Sequence, residues 1–295
     1  FGRKRQIDQS TCNKDYSCLK GFCPSFVTVY GGGLRKPKAV ATSADDNPFA
    51  DLPEVTVPTL DEAYTILVTG IGGTGIVTIG AIMAMAAHLE DKGCTTMDQT
   101  GLAQKGGAVT SHVKIGRSPA DVHTVRISAG QADVILGCDL LVTAEGETLS
   151  KIKDDATKVF LNTHKTQTGD FTHNPEWKIP TNTLISGIKI ASGADNISTL
   201  DATKLATALL GNSIATNMFM LGYAWQKGAI PLSRHSIFKA LELNNVAVDM
   251  NQRAFDWGRL AAHDIDAVES RIMIPDGVKE AFAHRDTSTT QDEML

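Results

Sequence analysis

Residues 65–116 read TILVTGIGGTGIVTIGAIMAMAAHLEDKGCTTMDQTGLAQKGGAVTSHVKIG, and this stretch decides the fold. Its first five residues, 65–69, form an apolar run rich in β-branched side chains, which predicts a buried strand. Four glycines come next: Gly70, Gly72, Gly73 and Gly75. Helix-forming residues then continue to position 91. A strand, a glycine turn and a helix in this order are the context in which a G-x-G-x-x-G pattern indicates a binding turn.

The glycines have a steric and an electrostatic reason to be there. Without a Cβ atom, a residue can adopt positive φ and its backbone can approach another group closely. The helix that follows points its unpaired N–H groups and the positive end of its dipole at whatever lies beside the turn. The turn therefore predicts either an anion site or a tight backbone contact with a neighbouring domain, and the residues alone leave both interpretations open.

A second glycine loop follows the next predicted strand. That strand covers residues 94–98 and ends at Asp98, and residues 99–107 then read QTGLAQKGG. This loop contains Gly106 and Gly107 together with one cation, Lys105. Loops at the carboxyl ends of neighbouring strands converge on one crevice in a doubly wound sheet. We therefore expect the two glycine loops to lie close together.

The remaining pattern alternates strands with helices. Further strands are predicted over 108–115, 133–138 and 158–162, with a possible one over 122–127, and a helix is predicted over 146–152. Residues 163–198 are polar and predict an irregular loop that is functional or packed on a partner, whereas 199–262 predict a series of capped helices. The predicted fold class is α/β: a Rossmann-like, mainly parallel sheet with helices on both faces, preceded by a cysteine-rich extension and followed by a helical C-terminal part.

Three of the five cysteines cluster near the start of the chain. Cys12, Cys18 and Cys23 follow the spacing C-x5-C-x4-C-P. Ferredoxin-type clusters use a tighter run that also ends in Cys-Pro, and iron in such clusters prefers thiolate ligands. Three thiolates do not complete a four-cysteine site, so a cluster needs ligands from elsewhere. A zinc site with one remote ligand is the alternative, and an exposed loop with incidental thiols is less favoured.

Composition and charge exclude several other classes of protein. The 295 residues carry a net charge of −5, which argues against a nucleic-acid surface. The longest helical apolar stretch is too short to span a bilayer. An odd number of cysteines favours a reducing cytoplasm over a disulfide framework. The polar start and end predict a slice of a longer chain, divided into a partial ferredoxin-like cysteine segment, a linker, a main domain and a truncated C-terminal region. Their predicted bounds are 1–33, 34–64, 65–262 and 263–295.

No hydrolase elbow, phosphate loop or zinc-protease motif occurs in the sequence. His112 is the one histidine predicted near the glycine loops, and no partner for general-base chemistry can be named for it. Asp98 lies near the offset expected of an acid that binds a ribose. His164 and His173 form a weak metal signal, and ordinary loop polarity explains them better. The residues alone thus make a modest case for dinucleotide binding.

Several long motifs resemble one enzyme family. GIGGTGIVTIGAIMAMAAHLE and DQTGLAQKGGAVTSHV resemble the gamma domain of 2-oxoacid:ferredoxin oxidoreductases, most closely the fused indolepyruvate-type enzymes. KRQIDQSTCNKDYSCLKGFCPSFVTV resembles their second cysteine segment, and LATALLGNSIATNMFMLGYAWQKGAIPLS resembles their gamma-domain helices. The resemblance implies oxidative decarboxylation of an arylpyruvate on thiamine diphosphate. The acyl group would go to coenzyme A, and two electrons would pass through iron–sulfur clusters to ferredoxin.

The resemblance also implies roles for the segments. Cys12, Cys18 and Cys23 are then ligands of [4Fe–4S] clusters shared with cysteines elsewhere, and the thiamine site lies outside these residues. Both glycine loops, including Lys105, Gly106 and Gly107, would face the thiamine and coenzyme A region of the assembly. The implied partners are other domains or subunits of the oxidoreductase and ferredoxin, in the cytoplasm. Two alternatives stay open: an independent NAD- or FAD-binding domain, and a scaffold that binds no small molecule.

Overall fold

The computed structural model describes residues 30–31, 47–101, 107–166, 173–174 and 176–272. The cysteine cluster at positions 12, 18 and 23 and the loop residues Lys105 and Gly106 therefore lie outside the described residues.

One six-stranded sheet forms the centre of the described part, in the spatial order β2-β3-β1-β4-β5-β6. The strands are β1 (Tyr64–Ile71), β2 (Gly93–Thr100), β3 (Ala108–Gly116), β4 (Val134–Gly137), β5 (Lys158–Asn162) and β6 (Ile197–Leu200). β1, β4, β5 and β6 pair in parallel. β3 is antiparallel to both β1 and β2, so it runs against the other described strands. The predicted mainly parallel sheet is confirmed, with one reversed strand.

Helices cover both faces of this sheet. They are α1 (Ile76–Leu89), α2 (Leu140–Thr143), α3 (Gly146–Leu149), α4 (Thr181–Ser192), α5 (Ala202–Leu210), α6 (Thr216–Gln226), α7 (Arg234–Asn244), α8 (Val248–His263) and α9 (Ile265–Ser270). Ser233 caps α7 by accepting from the Ser236 N–H, and α5 ends at Gly211 with φ of 73°. Both helix boundaries agree with the capping signals in the sequence.

The alternation of β1 separates two hydrophobic cores. Ile66 and Val68 face a large core that contains α1, α6 and α8. Leu67, on the opposite face, packs in a smaller core with α2 and α4. Successive strand residues point to opposite faces, so a continuous apolar run is what a strand buried on both faces requires.

Helices α6 and α8 approach each other more closely than side chains would permit. A Cβ atom on Gly222 would lie 2.0 Å from the Phe255 carbonyl oxygen, and one on Gly258 would lie 1.9 Å from the Phe219 carbonyl oxygen. The contact is reciprocal because both helices carry the same Phe-x-x-Gly spacing, FMLG in α6 and FDWG in α8. This pair forms the rigid base against which α1 and the sheet pack.

Residues 47–63 run along this base without regular secondary structure of their own. The Phe49 ring meets the Trp257 ring edge-on at 5.0 Å between centroids. The side-chain Nε2 of Gln226 donates to the Pro53 carbonyl at 2.9 Å. The described residues of the predicted linker thus contain a turn near Phe49 and contact α6 and α8.

Three local predictions need correction. Residues 163–198 are not irregular throughout, because α4 and β6 lie within them. Helix α4 forms despite its β-branched residues and a central glycine, since Ile188 is fully buried in the smaller core. Residues 122–127 form no strand, and the helix predicted over 146–152 ends at Leu149. The chain then bends, and Ile152 makes an isolated bridge with Ala132.

Candidate functional site: the glycine cleft

The first glycine turn joins β1 to α1 through residues 72–75. Gly73 has φ of 82°, and Gly75, the N-cap of α1, has φ of 96° and ψ of 23°. These left-handed conformations are strained for residues with a Cβ atom. Gly70, near the end of β1, lets the helix approach the strand, because an added Cβ would lie 2.3 Å from Ile76 Cδ1. The glycines thus place the start of α1 directly above the end of β1.

The two glycine loops meet, as predicted. The Gly72 N–H donates to the Gly107 carbonyl at 2.8 Å, and the Gly101 N–H donates to the Ala108 carbonyl at 3.2 Å. The loop between β2 and β3 therefore closes against the turn that follows β1.

The start of α1 has no side chain to satisfy it. No side-chain hydrogen bond caps the helix, and its first turn contains no acidic residue. The first N–H groups of a helix lack intrahelical partners and carry partial positive charge. A helix end of this kind can bind an anion when the surroundings leave room for one.

A cleft of about 840 Å³ lies beside this helix start. Four segments line it: the glycine turn with the beginning of α1, the end of β2 and start of β3 at Thr100, Gly101 and Val109, residues 212–218 at the beginning of α6, and residues 244–251 around the connection from α7 to α8. Each described lining residue is apolar, glycine, threonine or asparagine, so none carries a formal charge. The volume is in the range of small-molecule and cofactor sites.

The α7–α8 connection is the strained wall of the cleft. Asn245 has φ of 52° and Ala247 has φ of 45°. Left-handed backbone is costly for alanine, whereas asparagine tolerates it better. Between them, the Val246 side chain is 63% exposed at the rim of the cleft.

Two asparagines fasten the walls of the cleft. Asn217 Nδ2 donates to the Thr74 carbonyl at 2.8 Å and so ties α6 to the glycine turn. Asn251 Nδ2 donates to the Val246 carbonyl at 2.9 Å and so ties α8 to the strained connection. Sequence reasoning missed both residues. The pair Asn244-Asn245 between two helical segments was the available signal, because asparagine is common at left-handed helix ends.

His112 is a structural histidine, not part of the cleft. It is 1% exposed and lies opposite Leu67 on the face of the smaller core. Its Nδ1 accepts the Ile127 N–H at 3.2 Å, and its Nε2 lies 3.3 Å from Gln99 Oε1. Burial, reinforced by the nearby cations Arg126 and Lys151, lowers the pKa of His112 to about 4. The ring is therefore neutral at pH 7. The prediction that His112 lies at the site formed by the glycine loops is wrong, because it does not line the cleft.

Asp98 does not occupy the place of a ribose-binding acid. It lies on β2, opposite Ser111 of β3, and β3 separates it from β1. Two strand spacings of roughly 4.8 Å each put β2 about 10 Å from β1. A dinucleotide site needs its acid on the strand beside the glycine turn. Asp98 also does not line the cleft.

Other chemistry-bearing residues are explained structurally. His164 Nδ1 lies 3.1 Å from Asp201 Oδ1, and Asp201 caps α5. Within the described residues, no group of three or more histidines, cysteines or acids could hold a metal. Burial raises the pKa of the Cys94 thiol to about 11 and that of the Cys138 thiol further, so both are unreactive.

The profile of the pyruvate ferredoxin/flavodoxin oxidoreductase family matches residues 65–261. Indolepyruvate oxidoreductase subunit IorB of Methanothermobacter thermautotrophicus is 29% identical over 201 residues, covering 68% of this chain and 97% of that subunit. The IorB subunit of Archaeoglobus fulgidus is 30% identical over 195 residues, covering 65% and 92%.

A solved structure, the gamma subunit of a keto/oxoacid ferredoxin oxidoreductase from Geobacter sulfurreducens, shares 22% identity at a TM-score of 0.48. It covers 68% of this chain and 98% of that subunit. In the part of the chain that the structure describes, each helix is too short or too polar to cross a membrane.

Proposed function

This chain belongs to the pyruvate ferredoxin/flavodoxin oxidoreductase family, and we propose that it forms the gamma part of a 2-oxoacid:ferredoxin oxidoreductase that acts on indolepyruvate or a related arylpyruvate. The family match agrees with the resemblance stated from the glycine motifs. Relatives that carry the name indolepyruvate oxidoreductase support the choice of substrate.

In the proposed reaction, the 2-oxoacid loses CO₂ and its acyl group forms a thioester with coenzyme A. Two electrons leave the substrate and reduce two ferredoxin molecules, and one proton is released. Thiamine diphosphate would supply the carbanion chemistry in another domain or subunit. This chain would contribute no catalytic side chain, and Cys12, Cys18 and Cys23 would contribute ligands to [4Fe–4S] clusters shared with other cysteines.

The contribution of the described residues is a binding surface for coenzyme A. One observation carries this proposal: an uncapped 14-residue helix, α1, begins at a left-handed glycine turn and opens onto a cleft of about 840 Å³. Phosphate groups are the ligands that such a helix start favours. Lys105, from the loop that meets the turn, would add the positive charge that the described lining lacks.

The experiment uses the assembled enzyme with the Gly73→Val and Lys105→Ala variants. Valine at position 73 would strain the turn, since φ is 82° there, and would place a branched side chain in the cleft. We expect the KM for coenzyme A to rise about ten-fold or more with Gly73→Val and less with Lys105→Ala, with the KM for the 2-oxoacid unchanged. If both variants keep the wild-type KM and turnover, the proposal is wrong.

Gly130→Val is the matched control for backbone strain. Gly130 also has positive φ, at 64°, but it lies outside the cleft lining, and an added Cβ would meet its nearest atom at 3.9 Å. This variant should lower stability without changing the KM for coenzyme A. Titration of the same protein with NAD(H) and FAD tests the alternative of a dinucleotide domain, which tight binding would favour.

The cluster proposal has its own test. Anaerobic reconstitution with iron and sulfide, in a protein that also contains the companion cysteines, should give the absorption and electron paramagnetic resonance of [4Fe–4S] clusters. Replacing Cys18 with serine should remove signal from one cluster. Signals that stay unchanged after each of the three cysteines is replaced would contradict the assignment.

A further inference from the structure

Four asparagines line the cleft, and two of them, Asn217 and Asn251, each use one Nδ2 hydrogen bond to hold a backbone carbonyl. We propose that Asn217 and Asn251 recognise an uncharged portion of the ligand that carries an N–H donor beside an acceptor, as an adenine edge or a pantetheine amide does. This inference rests on the proposed function, because it concerns a ligand in the same cleft. It adds which residues recognise the ligand and which part of the ligand they contact.

The orientation of both amides follows from their protein partners. Asn217 and Asn251 each face a backbone carbonyl, at 2.8 Å and 2.9 Å. A carbonyl only accepts hydrogen bonds, so each asparagine must present Nδ2 to it. Each side chain then keeps its Oδ1 and its second N–H, for which the described residues supply no further hydrogen-bond partner.

Asn217 is buried and held in a fixed position, unlike an amide on the open surface. It is 5% exposed, it is the second residue of α6, and it lies beside the glycine turn. A Cβ atom added at Gly75 would lie 3.8 Å from its Nδ2. Its free oxygen is therefore held in place at the inner end of the cleft, close to the start of α1.

Asn251 provides the second amide, from the neighbouring wall. It is the fourth residue of α8 and half-buried. Because its Nδ2 holds the Val246 carbonyl, its orientation depends on the strained connection between α7 and α8. The cleft thus presents one amide next to the glycine turn and another next to Val246.

The chemistry of the asparagine side chains indicates that the phosphates and the neutral portion of a ligand bind at different places in the cleft. An Oδ1 atom repels phosphate oxygens, whereas a donor and acceptor side by side on one carboxamide match the paired groups of adenine or of another amide. Apolar neighbours such as Ile214, Met218 and Met250 suit the flat or aliphatic faces of such groups. The phosphates then belong at the start of α1, and the neutral portion belongs between the asparagines.

The test measures the assembled enzyme with Asn217→Ala and Asn251→Ala. Losing one hydrogen bond to a neutral group should raise the KM for coenzyme A about three- to ten-fold in each variant, with kcat and the KM for the 2-oxoacid unchanged. Asn182→Ala is the control, because Asn182 is also the second residue of a helix, α4, but is exposed and outside the cleft. It should change none of these constants.

Two half-ligands identify which neutral group is bound. Adenosine 3′,5′-bisphosphate carries the adenine, and pantetheine carries the amides, and each is used as a competitive inhibitor. If adenine is the partner, both variants weaken the first inhibitor only; if an amide is the partner, they weaken the second only. Equal weakening of both inhibitors would indicate a merely structural role and would overturn the inference.

Failure of this inference differs from failure of the proposed function. If Gly73→Val raises the KM for coenzyme A and both asparagine variants leave it within two-fold of wild type, the recognition by asparagine is wrong and the cleft assignment stands. If Gly73→Val and both asparagine variants all leave it unchanged, the cleft does not bind coenzyme A and both proposals are wrong.

Discussion

The contact between α6 and α8 makes the same substitution, glycine to alanine, destabilising at one helix position and stabilising at another. At Gly258 an added Cβ would lie 1.9 Å from the Phe219 carbonyl oxygen and 2.9 Å from the Tyr223 nitrogen. Both neighbours are backbone atoms, so no side chain can rotate away. At Gly187, inside α4, an added Cβ would meet nothing within 4 Å. Neither glycine has positive φ.

The magnitude follows from two opposing contributions. Alanine gains about 1 kcal/mol over glycine in a helix interior, and this gain applies to both positions. Overpacking of a buried contact costs typically 1–3 kcal/mol and occasionally more. At Gly258 the two helices must move apart by more than about 1 Å to restore a van der Waals distance, which weakens the contacts of a fully buried interface. Because the two nearest atoms belong to the backbone, the cost lies at or above the upper end of that range, about 3 kcal/mol or more. After the gain of about 1 kcal/mol is subtracted, we expect a net loss of roughly 2 kcal/mol or more for Gly258→Ala.

The assay is urea unfolding of the wild type and both variants, followed by far-UV circular dichroism and by tryptophan fluorescence. Gly187→Ala should raise the free energy of unfolding by up to about 1 kcal/mol, and Gly258→Ala should lower it, with an unchanged denaturant slope in both. The loss corresponds to a decrease in Tm of about 4–8 °C for a domain of this size. Equal effects of the two substitutions, or stabilisation by Gly258→Ala, would refute the assigned helix contact.

Three further predictions concern titratable side chains, and one measurement tests each of them. The pKa of His112 is lowered to about 4 in the folded protein. The contribution of the neutral ring to stability is therefore complete above the unfolded pKa near 6.5 and is lost as pH falls from there towards 4. NMR titration should show a neutral ring at pH 6, and a charged ring there would contradict this. Burial alone would raise the pKa of Glu90, but hydrogen bonds from Lys92 and from two serines at the start of α7 outweigh it and hold that pKa below its usual range. Its stabilisation is present above the unfolded pKa and declines as pH falls through the folded one, so Glu90→Gln should flatten the acid limb of a stability-against-pH curve, whereas an unchanged limb would disprove the role. Asp256 is 7% exposed and accepts from the partly exposed Arg234 at 2.7 Å and from the buried Arg259 at 3.3 Å. Asp256→Asn should lower the free energy of unfolding by about 2–3 kcal/mol, less than for a fully buried pair, because Arg234 is partly exposed and asparagine keeps one acceptor oxygen. A loss below about 0.5 kcal/mol, the range of ordinary surface substitutions, would contradict this role.

Local sequence signals predicted the elements that carry strong periodicity or clear caps. The apolar run at 65–69 gave β1, and Ser233 and Gly211 marked helix boundaries that the structure confirms. The meeting of the two glycine loops also followed from sequence, because it depends only on where consecutive strands end. These features are determined by residues close together in the chain.

Features that depend on distant contacts were not predicted. Helix α4 has weak helical propensity, and burial of Ile188 decides its state. The reversed direction of β3 is set by its pairing with β1 and β2, which alternation of strands and helices does not reveal. The cleft walls at Asn217 and Asn251 come from helices far along the chain, so no local motif contains them. The shared Phe-x-x-Gly spacing of α6 and α8 was a usable signal for their pairing.

The reversed strand also determines what kind of ligand the glycine turn can serve. In a dinucleotide fold, the strand beside the turn continues in parallel and ends in an acid that binds the ribose. Here β3 occupies that position, and the carbonyl of Gly107, the residue before β3, accepts from the Gly72 N–H of the turn. The cleft reaches Thr100 and Gly101 at the end of β2, but Asp98 does not line it. From the start of α1 the cleft also extends across α6 to the α7–α8 connection, where Asn217 and Asn251 lie. A ligand with phosphates at one end and a neutral hydrogen-bonding portion at the other fits this path, whereas a dinucleotide would find no acid for its ribose among the described lining residues.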